Sequence, residues 1–118
     1  MANEKFTKFV FELERKTREG GVRWERTSDE SVYQAAFPKY LVRVYPKTHR
    51  GGVEPNYFIA ILSENGSLIE EKSDTELAES WRGESGVPVK LMQRLYETAK
   101  EKATGIEGAL DSLLGYLK

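Results

Sequence analysis

Residues 56–62 read Asn-Tyr-Phe-Ile-Ala-Ile-Leu, the most apolar strand-like run in the chain. Tyr57, Ile59 and Ile61 alternate with Phe58, Ala60 and Leu62. Successive side chains of a strand point to opposite faces. Apolar residues at both parities therefore describe a central strand, or one covered on both sides. Downstream, Asn65-Gly66 supplies a hairpin turn, because both residue types tolerate positive φ. Ser67 to Lys72 returns as a last strand whose Glu70, Glu71 and Lys72 suit a charged edge.

Upstream, residues 46–56 hold two prolines and a Gly-Gly pair, which predicts an unpatterned loop. Before it, Tyr40 to Tyr45 alternates again. Tyr40, Val42 and Val44 face one way; Leu41, Arg43 and Tyr45 face the other. Pro38-Lys39 connects this strand to Ser31–Phe37, with Tyr33, Ala35 and Phe37 on one face. Val22 to Arg26 gives apolar residues at every second place and reads as the first strand.

Helical periods flank the strands. Phe6, Phe9, Val10 and Leu13 build one face of a helix over residues 4–18, with Asn3 as cap and Gly20-Gly21 as stop. Ser73-Asp74-Thr75-Glu76 is a capping box that starts a short helix containing Leu77 and Trp81. Pro88 fits the first turn of the next helix. An apolar stripe then runs from Leu91 through Leu95, Ala99, Ala103, Ile106, Leu110, Leu113 and Leu114 to Leu117. Its phase continues across Gly105, which predicts one helix over residues 88–116, weakened at Gly105 and Gly108 by about 1 kcal/mol each relative to alanine. Thr104-Gly105-Ile106-Glu107 also fits a capping box that would start a separate helix. The expected fold is one α+β domain over residues 1–118. It has an N-terminal helix, an antiparallel sheet of about five strands, a short helix and a long C-terminal helix packed on one face.

Composition narrows the function. The 118 residues include no cysteine and one histidine, which removes disulfides, thiolate nucleophiles and any His-rich metal site from a single chain. His49 sits in the predicted loop without an evident orienting partner, and no carboxylate pair has a burial context that would split its pKa values. Gly20-Gly21 and Gly51-Gly52 lack the spacing of a phosphate-binding loop. Gly105-Ile106-Glu107-Gly108 has the GxxG spacing of an RNA-clamping loop, but Glu107 would repel the phosphates. An enzyme is not expected, and no cofactor is implied. The first ten residues mix charges and aromatics without an apolar core, so no signal peptide is visible. No run approaches the ~18 apolar residues of a membrane span. The expected compartment is the cytoplasm.

The net charge of -1 is a cancellation. Residues 1–50 carry 11 basic and 7 acidic side chains; residues 51–118 carry 7 and 12. Arg43, Tyr45, Lys47, His49 and Arg50, together with Arg23, are the candidate site for nucleic acid or another anion, because cation and ring on one face can meet phosphate and base. Solvated faces that neutralise each other are the plainer account of such charge runs.

A 29-residue helix would span about 43 Å at about 1.5 Å per residue. A domain of this size has a radius of gyration near ~14 Å, so the helix would overhang its body. Ile106, Leu110, Leu113, Leu114 and Leu117 would then need another surface. The reading is a small non-catalytic protein-interaction module that meets a protein partner, or a second copy, through its C-terminal helix. Nucleic-acid or anion binding through residues 39–50 is the alternative.

Overall fold

Five strands form one antiparallel meander, each hydrogen-bonded to the next in chain order. They are β1 (Trp24–Arg26), β2 (Tyr33–Phe37), β3 (Tyr40–Thr48), β4 (Pro55–Ser63) and β5 (Leu68–Ser73). Helix α1 (Ala2–Arg18) precedes them; α2 (Asp74–Glu79), α3 (Gly86–Thr104) and α4 (Ile106–Tyr116) follow. The computed structural model describes residues 2–48, 52, 55–79, 81 and 86–118, with Ala2, Asn3 and Glu107 described by backbone alone. The α+β class, the five-stranded antiparallel sheet and the flanking helices are as the sequence patterns require.

The central pairing is longer than the alternation indicates. β3 and β4 pair from Tyr40 with Ser63 to Thr48 with Pro55, so part of the expected 46–56 loop is strand. Pro46 sits opposite Tyr57 inside this ladder. The Tyr57 amide donates to Asp74 Oδ2 (3.3 Å), on the β5 side. The two residues thus face each other without ladder bonds between them. Since β2 stops pairing at Val44, the missing amide hydrogen of Pro46 falls on an open side.

Parity separates two faces. Trp24, Tyr33, Ala35, Val42, Val44 and Ile59 point into the core. There they meet Phe6, Val10 and Leu13 of α1, Leu77 of α2, and Leu91, Met92, Leu95 and Ala99 of α3. Phe9 packs at the margin of this cluster rather than within it. Trp24 is buried, and its indole N–H donates to the Thr17 hydroxyl at 3.0 Å, which joins β1 to α1. Glu14 is 3% exposed; its Oε2 accepts from Arg18 (3.3 Å), while Oε1, without a hydrogen bond among the described residues, lies 3.9 Å from Arg94 of α3. A buried carboxylate needs such partners, and here they tie the two long helices together.

Local signals act where the sequence places them, with some differences. Gly20, at φ 84°, ends α1: its N–H bonds Thr17 O and that of Gly21 bonds Lys16 O, a Schellman closure. Helix α1 already includes Asn3, so Asn3 is not its cap. The Ser73–Glu76 capping box is formed in both directions, Glu76 N to Ser73 Oγ (3.1 Å) and Ser73 N to Glu76 Oε1 (3.0 Å). Trp81 lies beyond α2 and stacks on Phe11, with centroids 5.1 Å apart. In the β4–β5 turn only Gly66 takes positive φ; the Asn65 side chain instead accepts from the Ser67 amide. Lys39 carries φ 74° after Pro38, a type II turn with a non-glycine residue at the left-handed position.

The largest difference is at Gly105. The single helix expected over 88–116 is two helices, α3 and α4. Gly105 takes φ 67° and ψ 27°, left-handed backbone that glycine adopts without steric cost. Its N–H still closes the last turn on Glu101 O (3.0 Å), and its C=O accepts from Ala109 N (3.0 Å) to open the next. The break is thus confined to one residue. Thr104, the cap residue of the Thr104–Glu107 box, is not the N-cap of α4. The Thr104 hydroxyl donates back to Lys100 O (2.8 Å), and α4 begins on Gly105 with no side-chain cap.

Candidate functional site

Helix α3 crosses the covered face of the sheet, touching β4, β3, β2 and β1, and ends near the β1 edge. Beyond Gly105 there is no sheet left to cover. Helix α4 makes substantive contact with α3 alone among the described elements, and the molecule extends 54 Å along its long axis against 34 and 29 Å across. Its apolar residues are consequently open to solvent. Ile106 is 45% exposed, Leu110 50% and Leu117 82%, with Leu113 and Leu114 between them. At about 100° per residue these five side chains fall within roughly 100° of the helix circumference. All five residues singled out in the sequence are therefore on one face, and that face is uncovered. No charged residue stands at any of the five positions.

The second candidate lies on the other face of the sheet, which no helix among the described residues covers. Arg43 and Tyr45 do share it, as alternation requires, and Lys47 joins them. Three further residues, not singled out as site residues, complete the arrangement. Phe58 lies opposite Tyr45 and stacks on it, centroids 5.9 Å apart and planes 4° from parallel. Lys47 Nζ sits 4.7 Å from the Phe58 ring centre and 3.8 Å from Glu71. Gln34 accepts a hydrogen bond from Arg43 Nε at 2.7 Å. The Tyr45 hydroxyl donates to Glu71. The phenol is held well above its ordinary pKa, first by burial and then by that hydrogen bond and the charge of Glu71. Cross-strand pairing makes these contacts, and a single sequence carries that register only weakly.

The face is balanced in charge. An open hollow of about 420 Å³ lies over Ala60 and Leu62 and is lined by Arg43 and Lys47 on one account and by Asp29 and Glu71 on the other. The acidic β5 answers the basic β3 across β4. Of the two cations, Lys47 pairs with Glu71, and Arg43 has no carboxylate partner among the described residues. Arg23 is not gathered here. It is almost wholly exposed and pairs with Glu25 at 3.7 Å. His49 and Arg50 lie outside the described residues.

Compared with protein-family models, curated proteins and solved structures, the chain finds no match. Among the described residues no group of three or more His, Asp or Glu side chains is placed to hold a metal ion, and no helix is long and apolar enough to cross a membrane.

The Tyr45–Glu71 contact gives a titration with a defined sign. A phenol whose folded pKa is raised above about 10 adds stability that is complete below that pH and is lost as pH rises further. Glu71→Gln removes the carboxylate charge. Phenolate absorbance should then show one tyrosine ionising at lower pH than in the parent chain. An unchanged titration would place Tyr45 away from Glu71.

Proposed function

We propose that this chain is a non-catalytic, cytoplasmic protein-interaction module whose contact element is α4. The observation that carries the reading is the coincidence of five aliphatic side chains on one uncharged face with a backbone break that removes that face from its own core. Contiguous exposed apolar surface is unfavourable in water, and a monomer rarely keeps it without a use. Outside α4 the large exposed apolar groups among the described residues are Phe37, Tyr40, Leu68 and Ile69, at strand ends beside the β2–β3 and β4–β5 turns, whereas α4 carries five along one helical face.

A second reading rests on Arg43. A half-buried guanidinium bonded, among the described residues, to a neutral amide, beside stacked Tyr45 and Phe58, suits an anionic group carried on a planar or apolar body, nucleic acid included. The two carboxylates at the same hollow make it the weaker reading.

The two are separated by paired substitutions. Leu113→Glu and Leu117→Glu should abolish association while folding stability stays within about 0.5 kcal/mol, because neither side chain is in the core. Association that survives both changes with the fold intact removes α4 as the contact element. For the second reading, Arg43→Ala should weaken binding of a single-stranded oligonucleotide and lessen its salt dependence. Binding that is indifferent to salt and to this change contradicts it.

A further inference from the structure

The face of α4 has a symmetry that names its partner. Its seam residues Ile106, Leu110, Leu113 and Leu117 are spaced four, three and four apart, and that pattern reads the same in both directions. Reversing the helix about a point between Asp111 and Ser112 exchanges Ile106 with Leu117 and Leu110 with Leu113. A surface that maps onto itself in this way is what a two-fold symmetric interface requires, since each copy must present the same patch to the other. We propose that α4 docks on α4 of a second copy of this chain, antiparallel, about a two-fold axis between Asp111 and Ser112. The inference rests on the reading of α4 as the contact element.

Three further observations favour this occupant and this direction. The first is Leu114, which widens the stripe on one side only. In an antiparallel pair the Leu114 side chains of both copies lie on the same side of the seam and join one patch; a parallel pair sends them to opposite sides. The second is electrostatic. Antiparallel helices set the positive end of each dipole beside the negative end of the other, and no seam position carries a charge to be desolvated. The third is the weakness of α4 on its own. It has 11 residues, no side-chain cap at its start, and internal glycines at 108 and 115. A helix this short is marginal in water and needs an apolar face to pack against.

Size sets the expected strength. The five exposed side chains, covered on both copies, withdraw on the order of 1,000 Å² from water, the lower limit for a specific interface. The dimer should therefore dissociate on dilution within the micromolar range rather than persist as an obligate assembly.

The test uses the full chain and its lack of cysteine. Light scattering over a dilution series should give two chains at high concentration and one at low, and Leu113→Glu should give one throughout. Ile106→Cys and Leu117→Cys then report direction. In the antiparallel pair residue 106 of one copy lies beside residue 117 of the other. Identical residues stand about 16 Å apart along the axis, beyond the ~7 Å that a disulfide spans. Mixing the two variants under mild oxidation should form a disulfide-linked dimer at least tenfold faster than either alone. A single-chain mass at every concentration overturns the proposal, as does rapid linkage of Ile106→Cys to itself, which marks a parallel pair. A dimer unaffected by Leu113→Glu overturns it too. If the chain stays monomeric while another protein still requires Leu113, self-pairing falls and α4 remains the contact element. If no association requires Leu113 or Leu117, both fall together.

Discussion

The nine-pair antiparallel ladder between β3 and β4 is the constraint on which the rest depends. Once Tyr40 is opposite Ser63, strand parity sends Val42, Val44 and Ile59 to one face and Arg43, Tyr45, Phe58 and Ala60 to the other. The first set is the floor on which α1 and α3 pack. The second becomes a face without helices, where stacked rings and cross-strand ion pairs take the place of a core. A one-residue slip would turn one strand over relative to the other, and so either bury the Arg43 guanidinium or expose Ile59. The five-strand order sets the width of the sheet, and α3 contacts every strand from β1 to β4 before Gly105 turns the chain away.

Energetics give the uncovered helix its meaning. Fully burying an aliphatic side chain stabilises by roughly 1.5–3 kcal/mol, and the five on α4 begin about half exposed or more. The contribution available to an association through both copies is then on the order of 10 kcal/mol. Losing overall translation and rotation costs a comparable amount, about 4–15 kcal/mol. The balance is close to zero at ordinary concentrations, the regime of a reversible contact. The Lys47–Glu71 and Tyr45–Glu71 contacts belong to a different scale. Partly exposed pairs of this kind contribute about 0–1 kcal/mol each, and they order the bare face rather than hold the fold.

The fold was legible because its signals are local and periodic. Alternation from Tyr33 to Leu62, the Gly20-Gly21 stop and the Ser73–Glu76 box each act within a few residues. The Gly105 break was legible only as the less favoured alternative to a continuous helix. The apolar phase runs straight through it, and a glycine inside a stripe looks the same whether its backbone is right- or left-handed. What decides is whether sheet remains beneath the following turn, a tertiary fact. The extension of β3 through Pro46 was hidden likewise, because a proline in a strand is tolerated only where one side lacks a neighbour. Of the candidate sites, the α4 face was readable from spacing alone. On the sheet, Arg43 and Tyr45 were placed correctly by parity. Phe58, Gln34 and Glu71 were not associated with them, since cross-strand register brings them there. Part of the division of charge between the halves of the chain is answered within the fold at Lys47–Glu71.

Helix α4 stands clear of its own body and, as proposed, is covered only by association. Amide hydrogen exchange of the full chain, measured at high and low protein concentration, addresses it most directly. Residues 106–117 should be protected at high concentration and lose that protection on dilution, while Leu91–Ala99 of α3 stay protected throughout. Protection of 106–117 that matches α3 and does not change with concentration would show α4 packed on its own chain, and would contradict the account.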